Sequence, residues 1–209
     1  SVILCLIIGA LIGAWHGFWV AFLKIPAFIV TLAGMLIFRG LTMLALNGQS
    51  IAPFPESFRQ MSTGFIPGLN KTGELDLLTM IVGVLISLVL LWSEFRKRKK
   101  QQSYNFEVLP MWLFALKLVF IVAVMNIFAY FLASYEGIPN ILVILVVLIV
   151  AYSFFTNKTV PGRHLYALGG NEKAAKLSGI KTKWLTFWVF VNMGVLSALS
   201  GLLFAARLN

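Results

Sequence analysis

Cysteine is almost missing from this chain. Cys5 stands alone among 209 residues and in apolar surroundings, which excludes an intrachain disulfide and any multi-cysteine metal site. Its expected state is a small buried hydrophobe. Charge is scarce as well: 11% of residues are charged and 60% are hydrophobic, against roughly 25% and about 45–50% in a soluble globular domain. A water-soluble core is thereby excluded. Carboxylates are scarcer still. Glu56, Glu74, Asp76, Glu94, Glu107, Glu136 and Glu172 all fall in loops or at the edges of apolar runs, so the expected membrane interior holds none. Proton- or sodium-coupled carriers commonly keep an Asp or Glu at membrane depth for the coupled cation, so its absence here points to an external energy source.

Enzyme signatures are missing too. There is no HExxH for an intramembrane metalloprotease and no GxSxG nucleophile elbow. Gly68 to Gly73 has the spacing of a phosphate loop, but Glu74 and Leu75 follow where Lys and Ser/Thr belong, and an acid repels phosphate. His16 and His164 have no partners at metal-ligand spacing and are assigned structural or surface roles. Neither a metal nor a cofactor is expected, and the chain is not read as an enzyme. Asn70-Lys71-Thr72 and Asn157-Lys158-Thr159 match the glycosylation acceptor pattern and are read as chance matches.

What is present in quantity is long apolar sequence. Uncharged stretches run from Ser1 to Leu23, Leu77 to Ser93, Leu118 to Tyr135, Gly137 to Asn157 and Trp184 to Ala206, each near the ~20 residues that carry a helix across the hydrocarbon layer. The fold class is therefore all-α: a polytopic transmembrane helical bundle with spans at about 2–23, 27–46, 76–93, 111–133, 138–155 and 184–206. Continuous apolar runs exclude the alternating strands of a β-barrel. Residues 1–209 are taken as one transmembrane domain. The chain begins inside an apolar run and stops just past another, so it is expected to be a fragment, and its first segment lacks the basic n-region of a signal peptide. Between the first two spans, Lys24-Ile25-Pro26 makes either a tight interfacial turn or a discontinuous helix.

The basic residues supply the orientation. The segment 94–110 carries five Lys/Arg (Arg96, Lys97, Arg98, Lys99, Lys100) and 156–183 carries six, whereas 47–75 has two, Arg59 and Lys71, and 134–140 has none. The positive-inside rule places 94–110, a basic loop, and 156–183 in the cytoplasm. Much of the +10 net charge is thus a topology signal, and no nucleic acid is expected. Small residues recur at helical spacing: Gly9, Gly13 and Gly17 form one row, and Gly194 with Ala198 and Ser197 with Gly201 form two pairs, a pattern suited to close helix packing.

Within 156–183, the stretch from Gly162 to Ile180 (GRHLYALGGNEKAAKLSGI) reads as a short helix with punctuation at both ends. Asn171 suits the N-cap, Glu172 the positive N-terminus and Gly179 the C-terminal stop. A helix of about two turns is marginal alone in water. Docking into a partner's groove would stabilise it; so would lying on an anionic membrane surface through Lys173 and Lys176.

This segment resembles the cytoplasmic coupling loop of permeases in the ribose, xylose and galactose class of bacterial sugar ABC importers. Ile25 to Leu41 (IPAFIVTLAGMLIFRGL) is similar to that family's IPPFIVTLG segment with its downstream arginine, departing at Ala27 and Ala33. Leu132 to Val143 (LASYEGIPNILV) and Phe190 to Gly194 (FVNMG) resemble the xylose or multiple-monosaccharide branch. The resemblance spans almost the whole chain and matches the middle of longer members. It implies an inner-membrane permease subunit for a xylose-like sugar. The implied partners are a separate ATP-binding-cassette ATPase, a periplasmic sugar-binding protein, a second permease copy and the lipid bilayer. It further implies that Gly169, Gly170, Asn171, Glu172, Ala174, Ala175, Ser178 and Gly179 couple the permease to the ATPase. The candidate translocation path draws on Thr31, Arg39, Asn126 and Asn192. Arg39 lies roughly 10 Å below the outer end of its span, where it either snorkels, pairs or lines the path, and helix–helix hydrogen bonds are the competing use of the other three. Lys117, near a cytoplasmic end, can snorkel. The rival classes are a secondary carrier or channel working without ATP, and a structural membrane scaffold.

Overall fold

The structure, a computed structural model, describes residues 2–49, 53–66, 71–72, 75–104 and 110–208. Glu74, Glu107, Asn70 and most of the 68–73 segment lie outside the described residues. Two compact units form, Ser1–Thr63 with Val143–Asn209 and, separately, Gly64–Leu142.

In the first unit the apolar runs fold into α1 (Val2–Ala21), α2 (Ala27–Ala45) and, with a few residues of the second unit, α6 (Asn140–Lys158). The same unit holds α3 (Glu56–Thr63), α7 (Val160–Gly170), α8 (Glu172–Leu177) and α9 (Thr182–Leu208). The glycine row of α1 explains its partner. A Cβ on Gly9 would sit 2.5 Å from the Ala198 Cβ, one on Gly13 would sit 2.9 Å from the Val191 Cα, and one on Gly17 would sit 3.0 Å from the Phe187 carbonyl oxygen. Rising numbers on α1 meet falling numbers on α9, so the two run antiparallel with their backbones in direct approach. Of the two small-residue pairs on α9, Gly194 and Ala198 take part; Gly201 faces open space. Phe22, just past α1, stacks edge-on against Trp184 at 5.3 Å, which puts Lys24 on the same side as the basic 156–183 segment.

The turn at 24–26 resolves into the first of its two alternatives. Lys24 takes a left-handed conformation (φ 57°) and α2 starts after Pro26. The chain then reverses, because Trp15 meets Phe38 at 5.6 Å and His16 lies against Gly34. His16 Nδ1 bonds the Ile12 carbonyl oxygen at 2.8 Å. Cys5 is half-buried rather than buried.

The second unit contains a two-residue antiparallel ladder, β1 (Lys71–Thr72) with β2 (Leu75–Asp76), then α4 (Leu77–Ser103) and α5 (Met111–Tyr135). Buried Asp76 caps α4, accepting from the Leu78 and Thr79 amides at 3.3 Å and from the Thr79 hydroxyl. The basic run Arg96–Lys100 continues α4 as helix instead of forming a loop. Its chemistry suits that extension: Arg96 lies 4.1 Å over the Trp92 ring, Arg98 lies 4.3 Å over Phe114, and Lys97 pairs with Glu94 at 3.2 Å. Lys117 also pairs with Glu94 instead of snorkelling alone. At the other end Gly83 accommodates Ala129, and Asn126 donates to the Ser87 hydroxyl at 3.1 Å.

Among the described residues six helices, α1, α2, α4, α5, α6 and α9, are long and apolar enough to cross a membrane. Their outward faces remain apolar and exposed, with Ile3, Phe28, Val89, Phe120 and Val150 as examples, as lipid-facing helices require.

Candidate functional site

The segment between α6 and α9 forms a bent arm, and local sequence accounts for each bend. Thr159 caps α7, its hydroxyl accepting the Gly162 amide at 3.2 Å, and Pro161 sits in the first turn, where a missing N–H costs nothing. Gly162 packs directly on the Phe155 and Thr156 carbonyls, leaving no space for a side chain. At the far end of α7 the chain straightens for one residue, Asn171 (φ −158°), which ends α7 and caps α8 together.

The six-residue α8 is held at both ends. The Asn171 Oδ1 accepts the Ala174 amide at 3.0 Å, and Glu172 lies in the first turn, where the helix dipole favours an acid. At the C-terminus Gly179 adopts φ 83° and donates to the Lys176 carbonyl, while Ile180 donates to that of Ala175, both at 3.1 Å. That pair of bonds is a Schellman stop, and the left-handed backbone it needs is why glycine stands there. Ser178 adds a bond to the Ala174 carbonyl at 3.0 Å.

The eight expected coupling residues therefore all fall within the 169–179 stretch around α8, and they differ in accessibility. Gly169, Gly170, Asn171, Glu172, Ala174, Ser178 and Gly179 are exposed, but Ala175 is only 3% exposed and faces the chain's own interior. Leu177, which sequence reasoning passed over, is 90% exposed and forms the apolar tip of α8. Its sequence signal is a leucine flanked by Lys176 and Ser178, with only the small Ala174 as an apolar neighbour on the same helical face.

Of the four polar residues expected along the path, Thr31, Arg39 and Asn192 belong to the first unit and Asn126 to the second. Thr31 bonds back to the carbonyls of Ala27 and Phe28 in its own helix. Asn126 belongs to the α4–α5 contact, with a second bond to the Val122 carbonyl at 2.8 Å. Arg39 is exposed on α2, and no carboxylate among the described residues forms an ion pair with it. Asn192, on α9, accepts a hydrogen bond from the Tyr152 hydroxyl of α6 at 2.5 Å.

That Tyr152–Asn192 bond lies in a cavity of about 1050 Å³ between α6, α7 and α9. Its wall is mostly apolar, with Phe155, Trp184, Leu185 and Trp188, and His164, Ser178 and Lys181 supply polar groups. No sequence signal marked it, because it exists only where α7 folds back between two spans.

Three comparisons bear on what such a chain is. All 209 residues match the family model described as branched-chain amino acid transport system / permease component. The xylose transport system permease protein XylH of Haemophilus influenzae is 35% identical over 209 residues, covering 100% of this chain and 54% of that protein. XylH of Escherichia coli is 34% identical over 210 residues, covering 100% of this chain and 51% of its own. The ribose import permease protein RbsC of Haemophilus influenzae is 30% identical over 209 residues, covering 98% of this chain and 43% of its own. The chain thus spans about half the length of the curated relatives it matches. No solved structure matches it. The chain belongs to the branched-chain amino acid transport system / permease component family, as a multi-pass membrane chain.

Proposed function

We propose that the complete permease imports a xylose-like monosaccharide across the inner membrane, driven by a separate ATP-binding-cassette subunit that engages the arm formed by α7 and α8. The names of the relatives support the sugar. The observation that carries the coupling role is α8 itself: a helix too short to stand alone, fixed by a cap at each end, with Leu177 held 90% exposed on the side that the charge pattern assigns to the cytoplasm. A large apolar side chain presented this way is suited to a partner's groove, and Ala174 beside it permits close approach. A periplasmic sugar-binding protein and a second permease copy complete the proposed assembly.

Reconstitution of the complete permease with its ATPase and binding protein tests this reading. Leu177→Arg and Ala174→Arg, both at exposed positions, are expected to lower sugar-stimulated ATP hydrolysis and uptake at least about tenfold, the scale of losing an interfacial anchor worth ~1–2 kcal/mol. Ala175→Arg is unsuited to the purpose, since it would unseat α8 itself. Full stimulation by both variants, or uptake that persists without ATP, would sink the proposal. For the path, Arg39→Leu is expected to abolish uptake while the complex still assembles; loss of assembly would make Arg39 structural.

A further inference from the structure

The cavity beneath α7 has a shape and polarity of its own. Its α9 side runs from Lys181, the residue before α9, through Trp184, Leu185, Trp188, Val189 and Asn192, roughly 16 Å at helical rise. One leaflet of the hydrocarbon layer is about 15 Å deep. The chemistry changes along that length. Lys181 stands at the end assigned to the cytoplasm, and His164 also lines the cavity; tryptophans follow along α9; and the Tyr152–Asn192 bond lies at the other end of that stretch.

The charge is one-sided. Among the described residues no carboxylate lines the cavity, and Glu172 is the only acid in 156–183, against six Lys/Arg. Among the described residues the ion pairs involve Glu94, so Lys181 is left without an anionic partner. The wall between the two ends is mostly apolar, which suits a hydrocarbon chain better than a polyhydroxylated sugar.

We propose that this cavity holds an anionic phospholipid of the cytoplasmic leaflet, its phosphate at Lys181 and His164 and an acyl chain along Trp184 and Trp188 as far as Tyr152. A basic pocket between membrane helices on the cytoplasmic side has the charge to select anionic over zwitterionic headgroups, and an apolar groove one leaflet deep matches a chain. Because the Lys181 and Ser178 rim joins α8 to α9, the lipid would sit directly behind the arm.

The complete permease, reconstituted in nanodiscs of phosphatidylcholine with and without phosphatidylglycerol and then delipidated in detergent, provides the test by native mass spectrometry of retained lipid. Wild type is expected to retain phosphatidylglycerol in preference to phosphatidylcholine. Each cation removed from a lipid-facing site weakens that preference about fivefold, so Lys181→Gln lowers it by that factor. Lys183→Gln, outside the cavity, leaves it unchanged. Val189→Trp, which fills the groove, removes retention and decides between the outcomes if Lys181→Gln fails to assemble. Equal retention of the two lipids by wild type, as expected if a helix from the rest of the permease occupies the groove, overturns the proposal. So does an undiminished preference in Lys181→Gln or in Val189→Trp. The readout requires no transport, so a failed import assay leaves this site standing.

Discussion

Along α1 and α9 two backbones meet directly, glycine against carbonyl oxygen and Cα, and among the described residues no side-chain hydrogen bond joins them. Between α4 and α5 a glycine approach is made by Gly83 to Ala129, and side chains add polar and aromatic pairs across the contact: Asn126 to Ser87, Lys117 to Glu94, and Phe95 and Arg98 to the Phe114 ring. In lipid the hydrophobic effect gives helices no reason to associate, because acyl chains are as apolar as leucine. Close packing and polar bonds are the two alternatives, and each pair relies mainly on one. The difference teaches where each pair is vulnerable. A backbone-to-backbone contact is intolerant of added volume, while a polar contact tolerates volume and is weakened by loss of one functional group.

The largest effect is expected at Gly13. A leucine there would drive into the Phe190 carbonyl and Val191 Cα, backbone atoms that cannot swing aside. Gly13→Leu should cost the complete permease about 3 kcal/mol or more, beyond ordinary overpacking, read as a lowered Tm or failed assembly in detergent. An Asn126→Leu change should cost less, about 0.6 kcal/mol and at most ~1.7, because membrane-buried hydrogen bonds also find partners in the unfolded state. A double-mutant cycle with Ser87→Ala isolates that bond, since Ser87 also donates to the Gly83 carbonyl. The smallest effect belongs to Glu94→Gln at the exposed end of the pair, about 0.2–1 kcal/mol and diminishing as salt is raised. If Gly13→Leu proved milder than Asn126→Leu, the contrast between the two pairs would be reversed; if Glu94→Gln were insensitive to salt, the ion pair would contribute nothing.

The six apolar helices were legible in the sequence because membrane spans must satisfy their own backbone and expose apolar side chains to lipid, and both demands are met residue by residue. Their centres match the structure, and the largest boundary difference is at α4, which runs on to Ser103 through a charge run read as a loop. Nothing in hydropathy foretells that stacking of Arg96 on Trp92 and Arg98 on Phe114 would keep the helix intact. Two helices went unread. The polar, eight-residue α3 rests on α9 and has no long apolar run, and α7 carries Pro161, Gly162, Gly169 and Gly170, which look like breakers until Thr159 caps the first turn. By contrast α8 was legible to its ends, since capping is a local matter of Asn171 and Gly179.

The sequence alone located the six apolar runs that the described residues form as long helices, and where the arm's short helix starts and stops; these depend on hydropathy and capping over a few adjacent residues. Only the tertiary structure decided that the α1 glycine row meets Gly194 and not Gly201, that Ala175 is hidden while Leu177 is presented, and that a leaflet-deep cavity opens between α6, α7 and α9. The physical reason is distance along the chain. Tyr152 and Asn192 are forty residues apart, and their bond forms only because packing brings two helices together, which no local rule encodes.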